Sequence, residues 1–394
     1  MYRKLISLIL VVTFFSVVVY SRDPIYLCAG RENKHPIWTE QPVYQAQVPN
    51  VFGEEAIQEM LGKITHILPK TIVEIIDKFG LHVALDFVAD ENKQYVPAEF
   101  FEELQGLADG SGVDYKDLLR VHMFPELVRA SCSIVGVWGE NTNDARLLQL
   151  RALDWGLQSP LNSFPAYIVY HPNQGNGNPY AILGWSGFLG ALTGYSQYVG
   201  VSEKVWLAYN GTYTYRGTPF YLVMKQILQY DSTIDEAINR VYNAKRTCAI
   251  FMGIGSNSTN TAVILEYSLD RVNIFSDTVK FPGFAQTPVE HPLIPQMVYV
   301  DKHRQPSNDP CMASYLIQAS NMTAQSIIQL CAYQQTGDLH IAVYDYQANQ
   351  VYISVASTNF EFPYKSGQVS PSFANQFIQL DMNTQFSLQV NRDY

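Results

Sequence analysis

The sequence predicts an α+β layered fold. Apolar residues at helical spacing fill the first third, the texture changes at Ser133 to short strand-like runs, and amphipathic helices interrupt those runs later on. From Glu54 to Val88 the spacing of Ile57, Leu61, Ile64, Leu68, Ile72, Ile75 and Ile76 predicts two helices, divided at Pro69. Pro97 opens another at its first turn, with Phe101, Leu104 and Leu107 on one face and Gly110 and Gly112 ending it. A short helix over Asp114 to His122 closes the helical segment.

Ser133 to Gly139 and Arg146 to Trp155 read as strands around the polar turn cluster Glu140 to Asp144, the pattern of a hairpin. Further strands are expected at Ala166 to His171, Tyr180 to Trp185, Val199 to Leu207, Ala249 to Gly253, Thr261 to Tyr267, Val272 to Phe275 and Ile341 to Tyr344. Helices over Pro219 to Tyr230 and Thr233 to Asn243 interrupt them, the second opened by a capping box of Thr233 and Glu236. The run Gly253 to Ser256 lacks the Gly-Lys-Ser/Thr of a phosphate loop and reads as a turn. His66, His82 and His122 fall within helical patterns and read as structural.

With 394 residues, 47% hydrophobic and 16% charged, the chain has globular composition. Its 26 basic and 36 acidic side chains leave a net charge of -10, and no basic run is long enough to bind nucleic acid. Met1 to Ser21 has the basic start, apolar stretch and polar end of a signal peptide; an uncleaved anchor is the alternative, since the run approaches the ~17 to 25 residues that span a bilayer. Acceptor sequons at Asn210, Asn257 and Asn321 agree with a secretory route, ending in the lysosome or outside the cell. In an acidic lumen, protonation of carboxylates and charging of histidines would favour peripheral docking on anionic lipid.

The 5 cysteines (Cys28, Cys132, Cys248, Cys311, Cys331) leave at least one thiol unpaired in an oxidising compartment. No CxxC pair and no His/Cys cluster has metal-ligand spacing, so neither a metal nor a cofactor is implied. Cys132 stands where helix gives way to strand. An edge-of-sheet thiol there is exposed and reactive; a small buried hydrophobe is the other reading. Arg151 and Asp154 lie on the returning strand, able to face it. An arginine lowers a thiol pKa from ~8.5 and a carboxylate can orient an amine, although a surface salt bridge fits the same pattern.

The run from Cys132 through Arg151 and Asp154 to Trp155 resembles the nucleophile hairpin of the N-terminal-nucleophile hydrolases related to penicillin acyltransferase. In their acid ceramidase and N-acylethanolamine acid amidase branch, Trp38-Thr-Glu is similar to the start of the smaller subunit. Leu192-Thr-Gly with Val201-Ser-Glu203 resembles the second strand pair, and Ile250-Phe-Met-Gly with Asn257-Ser a glycosylated turn.

The resemblance implies an αββα sandwich with a helical N-terminal segment. It also implies cleavage between Ser131 and Cys132, so that after a signal peptide (1–21) the chain becomes a heterodimer of a helical α subunit (22–131) and a catalytic β subunit (132–394). Cys132 would be the nucleophile, with its own α-amine as base. Asp154 would hold that amine, Arg151 would stabilise the thiolate or bind the scissile carbonyl, and Glu203, otherwise a solvated strand residue, would complete the network. Cys28 and Cys311 resemble an inter-subunit bridge, with Cys248 and Cys331 as a second pair.

The implied substrate is a fatty-acyl amide such as ceramide or an N-acylethanolamine. An acyltransferase sharing the thioester intermediate and a catalytically impaired lipid-binding relative are the alternatives. The sequence departs from the pattern at Ala152, where the family has Asn, and at Pro288, which stands for an oxyanion-hole Asn and has no N–H. Losing one such donor costs ~100- to 1000-fold in rate. Alignment on Ser-Ile-Val of the ceramidase branch would put Ser131 at the nucleophile position, and His303-Arg304 stands at a later basic position.

Overall fold

The computed structural model describes residues 38–40, 80–127, 131–157, 160–281, 291–307, 309–358 and 369–388. The expected signal segment 1–21, Cys28, the helices predicted before residue 80, His66 and Pro288 lie outside them. Along the chain run β1 (Trp38–Glu40), α1 (Leu81–Asn92), α2 (Ala98–Ser111), α3 (Tyr115–Leu127), β2 (Ser131–Val137), β3 (Leu148–Asp154), β4 (Pro165–Tyr170), β5 (Tyr180–Trp185), β6 (Thr193–Ser196) and β7 (Val199–Val205). There follow α4 (Phe220–Tyr230), α5 (Ile234–Asn243), β8 (Ile250–Ser256), β9 (Thr261–Tyr267), β10 (Val272–Phe275) and β11 (Met297–Val300). The last part holds α6 (Cys311–Gln318), α7 (Ala324–Gln334), β12 (His340–Asp345), β13 (Gln350–Val355), β14 (Ser357–Thr358), β15 (Val369–Ser370), β16 (Phe377–Asp381) and α8 (Met382–Ser387).

Two seven-stranded sheets form the centre, ordered β1-β16-β13-β12-β3-β2-β11 and β10-β9-β8-β7-β6-β5-β4. Strands β2 and β3 of the first face β7, β8 and β9 of the second. Helices α4 and α5 cover the outer face of the second sheet and share a core with α1, α2 and α3, while α7 covers β3 and β12 on the outer face of the first. This is the αββα layering expected. Both central sheets are buried on two faces, which is why β3, β5, β7, β8 and β12 carry no exposed residue.

The glycines Gly253 and Gly255 correct the expected turn: they lie inside β8, which runs on to Ser256. A Cβ on Gly253 would stand 2.5 Å from Ile134 Cγ2, and one on Gly255 2.4 Å from Gln149 Oε1. They are glycines because the facing sheet leaves no room for a side chain. Helix α2 buries Phe100, Leu104 and Ala108, a stripe one residue removed from the Phe101 face expected, and α3 continues past His122 through Pro125 to Leu127. Strands β11, β13 and β16 and helices α6 and α7 are additions to the sequence reading, while β6 and β7 form the strand pair that the resemblance at Leu192-Thr-Gly and Val201-Ser-Glu203 implied.

Cys311 is disulfide-bonded, and Cys132, Cys248 and Cys331 carry free thiols. The expected Cys248–Cys331 pair is therefore wrong. Cys331 is buried on α7 behind the first sheet, whereas Cys248 packs against the helical core behind the second, so both sheets separate them.

Glu126, in the last turn of α3, accepts a hydrogen bond from the backbone N–H of Phe220 (3.1 Å) and so holds α3 to the start of α4. Burial pushes its carboxyl up to about 7. The unfolded chain releases that proton near ~4.3, so stability from this group is fully present below that pH and is lost as pH rises through about 7. Glu126→Gln keeps the acceptor and removes the titration. Denaturant unfolding at pH 5 and pH 7.5 should show wild type losing up to ~3 kcal/mol more than the variant between the two; equal losses would contradict it.

Candidate active site

The site starts from strand pairing. In the β2–β3 hairpin Cys132 lies opposite Leu153, Ile134 opposite Arg151 and Ser131 opposite Asp154. Because side chains alternate between faces, Cys132 and Arg151 share the face toward the second sheet, and Ser131 and Asp154 share the other. Strand β2 lies inside the sheet, with β11 paired along its far side from Ile134 to Val137. The expectation of an exposed, edge-of-sheet thiol is thus corrected: Cys132 is fully buried, and burial pushes its thiol up to about 12 despite the opposing pull of Arg151. In that state the thiol holds its proton near neutrality and is shut off from solvent.

Arg151 crosses from the first sheet to the second. Strand β6 begins at Thr193, level with Ser202, so Glu203 has no β6 neighbour and a gap opens beside it. The guanidinium enters there, with Nε donating to the carbonyl of Leu192 (3.4 Å) and Nη2 to Glu203 Oε2 (3.1 Å). Glu203, expected to be solvated unless it joined the site, is buried and its carboxyl is raised by that burial. Arg151 Nη1 and Glu203 Oε1 have no hydrogen-bond partner among the described residues. Buried polar atoms are nearly always paired, so each of these two calls for a further partner, water or substrate.

Asp154 lies on the opposite face and does not face Cys132, because the pleat turns it toward the helical layer. Its Oδ2 accepts from Thr336 Oγ1 (2.7 Å) and its Oδ1 from the N–H groups of Gly337 (2.8 Å) and Asp338 (3.3 Å). Asp338 returns the arrangement, accepting from the N–H groups of Trp155 (2.7 Å) and Gly156 (3.0 Å). Burial, then the neighbouring Asp154 charge, raises Asp338 to about 7. Ala152 packs beneath this turn: a Cβ on Gly337 would meet Ala152 Cβ at 3.2 Å, which accounts for a small residue there.

The nearby cation is Lys302, whose charge opposes the burial that raises Asp154 and whose Nζ donates to the carbonyl of Gln335 (2.7 Å). His303 instead pairs with Asp301 (3.3 Å) and Asp309 (3.7 Å), and Arg304 is exposed. Sequence reasoning missed Lys302, Thr336, Asp338 and Lys204, none of which carries a local signal.

Beside the site an apolar cavity of about 50 Å³ is lined by Leu85, Val121 and Phe124 before Ser131 and by Trp155, Trp185 and Leu192 after it. His122, read as structural, supports its wall. Its ring bonds the carbonyl of Leu118 through Nδ1 (2.7 Å) and accepts from the N–H of Leu189 through Nε2 (2.9 Å), and burial lowers it to about 4. The sequon residues Asn210, Asn257 and Asn321 are exposed.

The Arg151–Glu203 pair gives a direct stability test. Removing one partner strands the other as a buried charge, so Arg151→Met or Glu203→Leu alone should cost ~3 to 5 kcal/mol in denaturant unfolding. The double variant should recover much of that loss. Additive losses would show that the two charges do not compensate each other.

No family model matches the chain. Protein dcd1B of Dictyostelium discoideum is 54% identical over 343 residues, covering 86% of this chain and 69% of that protein. Protein dcd1A of the same organism is 47% identical over 349 residues, covering 86% and 79%. Among solved structures, the Caenorhabditis elegans N-acylethanolamine-hydrolyzing acid amidase ortholog is similar at 13% identity and a TM-score of 0.41, covering 55% of this chain and 93% of that one. By the identity and coverage of its Dictyostelium relatives, the chain belongs to the family of dcd1A and dcd1B.

Proposed function

We propose that the chain is the precursor of an N-terminal-cysteine amidohydrolase of the N-terminal-nucleophile kind, which cleaves itself between Ser131 and Cys132 and then hydrolyses a fatty-acyl amide. The observation that carries this reading is the free thiol of Cys132 at the start of a central strand, on the face of the partly unpartnered Arg151–Glu203 pair. Ser131 sits on the other face, which favours Cys132 as nucleophile.

In the first reaction the Cys132 sulfur attacks the Ser131 carbonyl carbon. The C–N bond breaks as the S–C bond forms, the thiol proton passes to the departing nitrogen, and water hydrolyses the resulting thioester. The freed α-amine, with an ordinary pKa of ~7.7 to 8.0, then serves as base for the thiol. Asp154 is well placed to orient it from the cross-strand position of Ser131. A carboxylate offers about four acceptor sites, and Thr336, Gly337 and Asp338 take three. The spare Nη1 of Arg151 would donate to the substrate carbonyl.

The apolar cavity supports an acyl substrate. At about 50 Å³ it is smaller than the ~150 Å³ that admits benzene, so this cavity is too small for an acyl chain as it stands. Its walls come from both sides of the scissile bond, so cleavage frees one wall to move. A small helical subunit and a catalytic one, joined through the bonded Cys311 to Cys28, complete the proposal, with processing in a secretory or lysosomal compartment. The choice of ceramide or an N-acylethanolamine is part of the same proposal.

Purified protein held at pH 4 to 5 should yield a fragment whose first residue is Cys132, while Cys132→Ala stays a single chain. The yield of that fragment should parallel release of fatty acid from a fluorogenic N-acyl amide. An intact wild-type chain after prolonged incubation would overturn self-cleavage. Cleavage without hydrolysis would favour a lipid-binding relative.

A further inference from the structure

Lys204 is a fully buried cation whose ammonium has little to bind. Its Nζ donates to the backbone carbonyl of Lys302 at 3.4 Å, and among the described residues no carboxylate forms an ion pair with it. An ammonium carries three donors, so two remain for other groups. Burying such a charge costs several kcal/mol unless something compensates it, so a lysine with spare donors is an expensive feature to keep for packing alone.

The strand registers place these spare donors at Cys132. Lys204 lies on the same face of β7 as Ser202, whose Oγ accepts from Gln149 Nε2 (3.0 Å); Gln149 lies on the same face of β3 as Arg151. Lys204 therefore points into the space between the sheets. A Cβ on Gly136 would meet Ala262, the partner of Gly255, and one on Gly253, the partner of Ser202, would meet Ile134, so the next step on the same faces brings Phe251, the partner of Lys204, toward Cys132. The ammonium bonded to the Lys302 carbonyl thus sits at the Cys132 end of β2.

From this placement we propose that Lys204 is the charge-stabilising residue for the anion that forms when Cys132 reacts, first the thiolate and then the oxygen of the tetrahedral carbon. The inference rests on the self-cleavage reading above and adds a residue to it. Lys204 keeps its proton throughout: the thiol proton still passes to the departing nitrogen, and the ammonium only donates hydrogen bonds to the negative charge. Such a donor matters because it is preorganised in a water-poor site, where its field is less screened.

The charges around it agree. Each of Cys132 and Lys204 favours the ionised form of the other, and Asp301, Asp154 and Glu203 also help to hold the lysine charged against a burial that lowers it. Lys302 supplies only its carbonyl to this contact, its own ammonium being turned to Gln335.

The test is the rate of self-cleavage in the full chain across pH 4 to 9 for wild type, Lys204→Met and Lys204→Arg, with unfolding midpoints measured beside it. The proposal expects Lys204→Met to slow cleavage ~100-fold or more and to move the pH profile ~1 unit or more toward alkaline. Lys204→Arg, which keeps the cation, should restore most of the rate. If Lys204→Met does not fold, Lys204→Gln is read by the same standard, since it still donates to Lys302 while lacking charge. A neutral variant within about threefold of wild type with an unmoved profile would overturn the proposal and leave the self-cleavage reading standing. So would a folded Lys204→Arg as slow as Lys204→Met. A wild-type chain that does not cleave would overturn that reading itself, and the role of Lys204 with it.

Discussion

The pairing of β2 with β3 sets the chemistry of the site. Cys132 and Arg151 share a face because the hairpin is in one register; a slip of one residue would carry one of them to the other face. Packing on both sides holds that register. Ile134 faces the second sheet, Val135, Leu150 and Ala152 face the α7 layer, and all are buried. Gly136 lets the sheets approach, since a Cβ there would stand 2.6 Å from Ala262 Cβ. A slipped strand would place a side chain in that gap and polar residues in both cores.

This register divides the charged groups between two environments. Between the sheets, Lys204 stands with donors to spare, and Arg151 reaches from the same space through the gap beside β6 to Glu203, which lies on the opposite face of β7. On the outer face, Asp154 and Asp338 are bound by reciprocal amide contacts that join the end of β3 to the start of β12. In the intact chain Cys132 has no α-amine, and its buried thiol is held protonated. On the proposed reading, the cut supplies the missing base next to the nucleophile while loosening the α1–α3 wall of the apolar cavity. The precursor is then closed to outside substrates, and the one carbonyl that Cys132 attacks in it is that of the adjoining Ser131.

Much of the architecture was legible in sequence because its signals are local. Pro97 and Gly112 bound α2, Thr233 caps α5, and the apolar runs flanking Glu140 to Asp144 mark the β2–β3 hairpin. The misses needed partners distant in the chain. Strand β11 is four residues long and makes sense only against β2, while the glycines of β8 resemble a turn until the facing sheet is in place. At the site, Cys132 and Arg151 were singled out from the hairpin and Glu203 from the family resemblance, and the structure puts Cys132 and Arg151 on one face and bonds Arg151 to Glu203. The face of Asp154 was misjudged because proximity in a hairpin does not fix pleat parity. Lys204 and Asp338 were invisible because burial, the property that makes them unusual, comes from residues far away in sequence.

The central claim is that burial closes Cys132 of the intact chain to every carbonyl but that of Ser131 and that cleavage before it opens it to outside reagents. The most direct measurement is alkylation of Cys132 by iodoacetamide at pH 7, followed by peptide mass spectrometry, in the intact precursor and in the same protein after processing. The account predicts almost no labelling at Cys132 in the folded precursor and rapid labelling once it is N-terminal. Equal labelling of Cys132 in both forms would contradict it.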